Sequence, residues 1–110
     1  MKPAELIALA AKAADYELED EPASIWVVGA SPLDRVLRNR AGGHSVWNPW
    51  ENDGDAFRLM SRLAIHVNYS FGTGGKAVLA DEIEEPLGED QDAAIRHAIV
   101  RAAAEYGAAL

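Results

Sequence analysis

The chain has 110 residues, a formal net charge of −8 and no cysteine. Its length gives room for one hydrophobic core, and the missing cysteine excludes disulfides, thiolate catalysis and cysteine-based zinc sites. The 49% hydrophobic content is that of a globular fold rather than a disordered tail, and the acidity sets the surface against a phosphate backbone.

Residues 3–18 read as a first helix. Pro3 suits its opening turn, Leu6, Leu9, Ala10 and Ala13 share one face, and Glu5, Lys12 and Asp15 point away. The acids Asp15, Glu17, Glu19, Asp20 and Glu21 then form a solvated connector that Pro22 ends. Residues 24–30 contain the apolar run Ile25, Trp26, Val27, Val28, the pattern of a short buried strand. Ser31, Pro32, Leu33 and Asp34 have the grammar of a helix start. That second helix would bury Leu33, Val36 and Leu37, turn Arg35, Arg38 and Arg40 outward as a basic patch, and end at Ala41-Gly42-Gly43.

His44 to Trp47 reads as a short strand, and the turn formers of residues 48–54 as a loop. Asn52 or Asp53 caps a helix reaching about Leu63, with Phe57, Met60, Leu63 and Ala64 inward. In residues 65–71 the apolar positions alternate, so Ile65, Val67, Tyr69 and Phe71 form the covered face of a strand. Gly72-Thr73-Gly74-Gly75 is a hairpin turn, and residues 76–83 are the returning strand. After Pro86-Leu87-Gly88, a last helix runs from Asp90 or Asp92 to about Tyr106. Its core stripe is Ile95, Ile99, Ala102 and Tyr106, with Ala98 and Ala103 beside it and Gly107 past its end. The expected fold is a single α+β domain over residues 1–110, with helices packed on a small, mostly antiparallel sheet whose clearest pair is the hairpin at 65–83.

Two stretches carry a family resemblance. Trp47-Asn48-Pro49-Trp50-Glu51-Asn52-Asp53-Gly54-Asp55-Ala56-Phe57-Arg58-Leu59 and the alanine- and arginine-rich segment 93–107 together resemble small bacteriophage and prophage proteins of the phage ABA-sandwich domain type. The likeness spans about the last two-thirds of the chain. It implies an α/β/α layered sandwich and a phage setting, and it transfers no functional residue.

No motif in the chain carries chemistry. His44, His66 and His97 lack the paired spacing of a metal site, and the acids around Asn52 fail the spacing of a calcium loop, so no metal is expected. Gly72 to Lys76 lies between strands and lacks the Ser or Thr of a phosphate loop. No Gly-x-Ser-x-Gly is present, and no carboxylate sits in a segment both buried and polar. A non-enzymatic protein without a cofactor is expected. No signal-peptide pattern opens the chain, and no apolar run approaches the ~20 residues of a membrane span, so a cytoplasmic protein with no membrane partner is expected.

Trp47 and Trp50 either close the core beneath their loop or expose an aromatic anchor of the kind found at interface hot spots. The acids of residues 81–92 are either solvated connectors or a face that docks on a basic protein surface. The leading expectation is a phage-encoded accessory protein that binds a host protein with a basic surface. An inhibitor of host defence, anti-CRISPR-like, would place acids where a nucleic-acid channel expects phosphates. Its contact residues would be Trp50, Asp53, Glu82, Glu84 and Glu85. The alternative is a structural or self-assembling phage module, a homodimer or virion part, built on an exposed sheet edge and the alanine-rich last helix. A third reading is a binder of a small anionic ligand held by Arg35, Arg38 or Arg40. Direct nucleic-acid binding is disfavoured by the charge.

Overall fold

The chain runs α1 (Pro3–Ala13), β1 (Glu17–Pro22), a 3₁₀ turn (Ala23–Ile25), β2 (Arg35–Arg38), β3 (His44–Trp47), α2 (Asp53–Leu63), β4 (Val67–Gly72), β5 (Gly75–Ala80), β6 (Ile83–Pro86) and α3 (Gln91–Ala108). The structure is a computed structural model and describes residues 1–38, 42–72 and 75–110. The six strands form two antiparallel sheets, ordered β1-β2-β3 and β4-β5-β6, so the fold is α+β as the sequence predicts. Among the described residues no helix is long and apolar enough to cross a membrane.

α3 is the central element and packs against α1, α2, β5 and β6. It is therefore buried on several sides at once: Ala94, Ala98, Ile99, Val100, Ala102, Ala103, Ala104 and Gly107 are all in the interior. This departs from a single core stripe. Tyr106 stays outside, and its hydroxyl donates to the Asp81 carboxylate. Gly107 lies within the helix rather than past its end, because α1 approaches there: a Cβ on Gly107 would stand 1.9 Å from the Leu9 carbonyl oxygen. α1 meets α3 through small residues and so buries Ile7, Ala10, Ala11 and Ala14, one step round from the expected Leu6, Leu9 and Ala13 face. It stops at Ala13, and Asp15 then turns the chain in a left-handed conformation (φ 59°).

The first sheet corrects three expectations. The acidic run is the edge strand β1, whose Leu18 turns inward while its acids stay outside or at the margin. Residues 24–30 are not a buried strand. The Trp26 and Val27 N–H groups both return to the Ala23 carbonyl, and this curl leaves Ile25, Trp26, Val27 and Val28 exposed. The predicted helix from Ser31 is absent, because its capping residues close on themselves. Ser31 N–H donates to the Asp34 carboxylate and Leu33 N–H to Ser31 Oγ. The chain then extends as the middle strand β2, pairing Val36 with Val46 and Leu37 with both Leu18 and Ser45. Strand alternation puts Arg35 and Arg38 on opposite faces, so no basic helix face exists there. Arg40 and Ala41 of that expectation lie outside the described residues.

The remaining elements follow the sequence more closely. Asn52 caps α2 by accepting the Asp55 N–H at 2.9 Å. α2 buries Ala56 and Leu59, whereas Phe57 is exposed and Ala64 is the left-handed C-cap (φ 53°) rather than an inward residue. β4 and β5 pair in unbroken register from Val67↔Ala80 to Gly72↔Gly75, while Thr73 and Gly74 of the expected turn lie outside the described residues. The returning strand ends early: Asp81 (φ 52°) and Glu82 turn the chain into β6. Tyr69 and Phe71 are exposed, because α3 lies over β5 and β6 and does not reach their end of β4. The core joins Ile7, Trp47, Leu59, Val78 and Val100, with Trp47 edge-on to Tyr16 at 5.5 Å between ring centres.

The Gly107 contact yields a stability prediction. Gly107→Ala forces α1 away from α3, an overpacking that should cost about 3 kcal/mol or more. Gly54→Ala, whose new methyl meets only movable side-chain atoms, should change stability by less than about 1 kcal/mol. Urea midpoints with unchanged m-values measure both.

Candidate functional site

The loop after β3 is held by one side chain. Asn48 is buried, and each of its polar groups is satisfied. Its Nδ2 donates to Asp34 Oδ1 (2.8 Å) and Glu51 Oε1 (2.9 Å), its Oδ1 accepts the Glu51 N–H, its N–H donates to Asp55 Oδ2, and its carbonyl accepts the Asn52 N–H. The Ser31 hydroxyl also donates to Glu51, and these bonds, Ser31's foremost, hold the Glu51 carboxyl below the ordinary range.

The predicted contact residues are not gathered at this hub. Trp47 closes the core. Trp50 is half-buried, with one ring face stacked on His97 at 3.7 Å between centres and 12° between planes, and its carbonyl accepts Arg96 Nε. Asp53 is paired with Arg96 at 2.7 Å. Further along α3, Glu85 is paired with Arg101. Glu82 and Glu84 are exposed, but Glu84 stands opposite Leu79 and Glu85 opposite Val78, so the two point to opposite faces of the second sheet. Asp53 and Glu85 thus spend their charge on α3 arginines, and of the predicted contact acids Glu82 and Glu84 are left to present theirs.

The arginines are similarly occupied. Arg38 makes two bonds to Glu19 Oε1 at 2.9 and 2.7 Å, and Arg35 donates to the Glu19 carbonyl at 2.7 Å. The Arg38 bond, helped by His44 and opposed by burial, holds the Glu19 carboxyl below its ordinary range. Arg58 pairs with Asp55, and Arg62 donates to the Ala14 carbonyl while lying over the Tyr16 ring. Among the described residues no arginine cluster is left on this face to receive a small anion. The three histidines are dispersed: His44 on β3, His66 before β4 and His97 on α3. Among the described residues no group of three His, Asp or Glu side chains is placed to hold a metal ion.

One surface feature is not anticipated by sequence reasoning. On the outer face of the first sheet, Val36, Val46, Trp26 and Val27 line an open groove of about 470 Å³, with Glu19, His44 and Ser45 at its rim. Ile25 and Trp26 are 57% and 56% exposed, and Val28 is fully exposed. The opposite face of the sheet is already filled by Leu18, Leu37 and Trp47. A continuous apolar run is the mark of a buried segment, which hid this one. The signal against burial was its punctuation: Pro22 before it and Gly29 and Pro32 after it leave little length for a paired strand. No protein-family model matches the chain, and neither a curated protein nor a solved structure matches it.

The Trp50–His97 stack generates a pH prediction. Burial first, and the Arg96 charge second, push the His97 pKa below its ordinary value, against the pull of Glu85 and Asp90. Folded His97 therefore takes up its proton less readily than the unfolded chain does. The contribution is fully present above about pH 6.5 and is lost as pH falls through that value towards the folded pKa, where it levels off. Denaturation midpoints should fall between about pH 7.5 and 5.5, and His97→Gln should flatten that slope. A slope unchanged in the variant would remove His97 as its source.

Proposed function

We propose that the chain is a non-enzymatic protein-binding module that seats the exposed apolar residues 25–28 and the adjoining groove on a host protein with a basic surface. The observation that carries this reading is four consecutive apolar side chains held in solvent, Trp26 among them, beside a groove with an apolar floor. Each large apolar side chain left in water forgoes about 1.5–3 kcal/mol of burial. A fold that holds four of them out has an unused binding term, and tryptophan is the residue most enriched at interface hot spots.

The charge supports a basic partner. Of the described arginines, Arg38, Arg58, Arg96 and Arg101 are paired with acids, and Arg35 and Arg62 with backbone carbonyls. An approaching partner meets the remaining carboxylates, including Asp20, Glu21, Glu82 and Glu84. Such a field speeds encounter with a cationic surface and orients it. In this reading Trp26 and Val28 supply affinity, Glu82 and Glu84 steer, and Trp50, Asp53 and Glu85 shape the scaffold. The likeness of the Trp-Asn-Pro loop and the last helix to phage proteins makes a phage-encoded inhibitor of host defence, anti-CRISPR-like, the concrete form proposed. The self-assembling alternative keeps the sheet edges and loses most of the α3 alanines, because Ala94, Ala98, Ala102, Ala103 and Ala104 are buried.

The test starts with the immobilised chain and lysate of a bacterial host, followed by purification of the retained protein and kinetic measurement. Trp26→Ser with Val28→Ser should weaken that complex by about 30-fold or more, the scale of a hot-spot loss. Glu82→Lys with Glu84→Lys should slow association and reduce its salt dependence. Affinity unchanged by the Trp26 and Val28 substitutions would overturn the docking surface.

A further inference from the structure

We infer that the partner's contribution is an extended segment, carrying apolar and basic side chains on one and the same face, that adds as a fourth strand to the outer edge of β3 and lays an apolar side chain in the Trp26–Val46 groove and a basic one beside Glu19. This rests on the protein-binding reading above and names the partner's chemistry. An edge strand offers unpaired N–H and C=O groups, and folded proteins guard such edges with charge, proline, bulges or side-chain caps. Three of the four edges here are guarded. β1 carries Glu17, Glu19, Asp20 and Glu21, a register break between Leu18 and Pro22, and the proline itself. β6 carries Glu84, Glu85 and Pro86. On β4, the Asn68 side chain accepts the Tyr69 N–H at 2.9 Å.

Among the described residues β3 has none of these devices. His44, Ser45, Val46 and Trp47 pair with β2 in unbroken register, the sheet order leaves their far side without a strand, and the first three are exposed. The same three residues line the groove with Trp26, Val27 and Val36. An added strand would find backbone groups at the edge and an apolar floor beside it. Strand addition works by this division: main-chain bonds give affinity, and pockets for alternate side chains give specificity.

Charge selects the occupant. Glu19 leans across the sheet until its carboxylate is 3.3 Å from His44 Nε2, on β3 itself. A lysine or arginine on a strand beside β3 comes within reach of it. Glu17, Glu19 and Arg38 together leave this face acidic. A second copy of the chain would bring the same cluster, and a net charge of −8 against −8, whereas a basic segment relieves both.

The probe is a synthetic octapeptide, Val-Thr-Lys-Thr-Val-Thr-Lys-Thr, whose valines and lysines share one face, titrated into the full chain to about 1 mM, a concentration that populates even a weak complex. Backbone amide shifts and hydrogen exchange report its position, and light scattering reports mass. Amide exchange at β3 should slow by tenfold or more, with β4 amides unchanged. N-methylation of alternate peptide residues should abolish binding in one frame, because only every second N–H faces the edge. The same peptide with glutamate in place of lysine should not bind. The inference is overturned by the absence of β3 protection, by equal binding of both N-methylated frames, or by β3 protection that rises with protein concentration alone and doubles the mass. A partner that needs Trp26 and Val28 yet leaves β3 amides exchanging freely would sink strand addition and keep the docking reading. Peptide seated on β3 beside a partner indifferent to Trp26 and Val28 would do the reverse.

Discussion

The approach of α1 to α3 at Gly107 constrains the rest of the structure. Backbone can come this near to backbone only where neither helix has a side chain to interpose. The alanines of both helices follow from that contact: Ala10, Ala11 and Ala14 on one side, Ala103 and Ala104 on the other, all buried. A helix interface of small residues buries little area per residue, so α3 must be covered elsewhere as well. It obtains this cover from α2 and from β5 and β6, which explains why it is interior on so many sides.

Placing α3 at the centre also decides what becomes of the acids. Its long polar side chains, Arg96, Arg101 and Tyr106, emerge between the packed surfaces, where they find Asp53, Glu85 and Asp81. Each pair ties α3 to a different neighbour: the α2 start, β6, and the β5–β6 turn. Pairs this exposed contribute modestly to stability. Their larger consequence is directional, since they remove Asp53 and Glu85 from the charge offered to solvent. The Asn48 hub fixes the Asp34, Glu51 and Asp55 carboxylates in place without neutralising them, and Arg58 pairs with Asp55.

How much of this was legible in the sequence depends on the range of the deciding interaction. The Asn52 cap, the Asp90 cap and the β4–β5 hairpin are set by residues within a few positions of one another, and they stand where the sequence puts them. Residues 24–38 were misread because two local grammars had a second solution. Ser31 and Asp34 can cap a helix or close a turn, and only the pairing of Val36 with Val46 and Leu37 with Leu18 selects the turn. Gly107 reads as a helix terminator from its neighbours alone, and its real partner, Leu9, is 98 positions away. Of the candidate site, the exposed Glu82 and Glu84 were visible as charge. The pairing that silences Asp53 and Glu85 depends on helix placement, which no local pattern encodes.

The outward apolar residues follow from the same packing. The inner face of the first sheet is occupied by Leu18, Leu37 and Trp47, with Tyr16 edge-on to Trp47. Ala23 is fully buried and anchored, its N–H on the Asp34 carbonyl and its own carbonyl accepting from both Trp26 and Val27. With that residue fixed, the next turn must lie on the outer face, over Val36 and beside Val46. Val36 is covered there, but the side chains that cover it remain open to water. The proposed partner would relieve that exposure, and the acids ranged along β1 favour a cationic one.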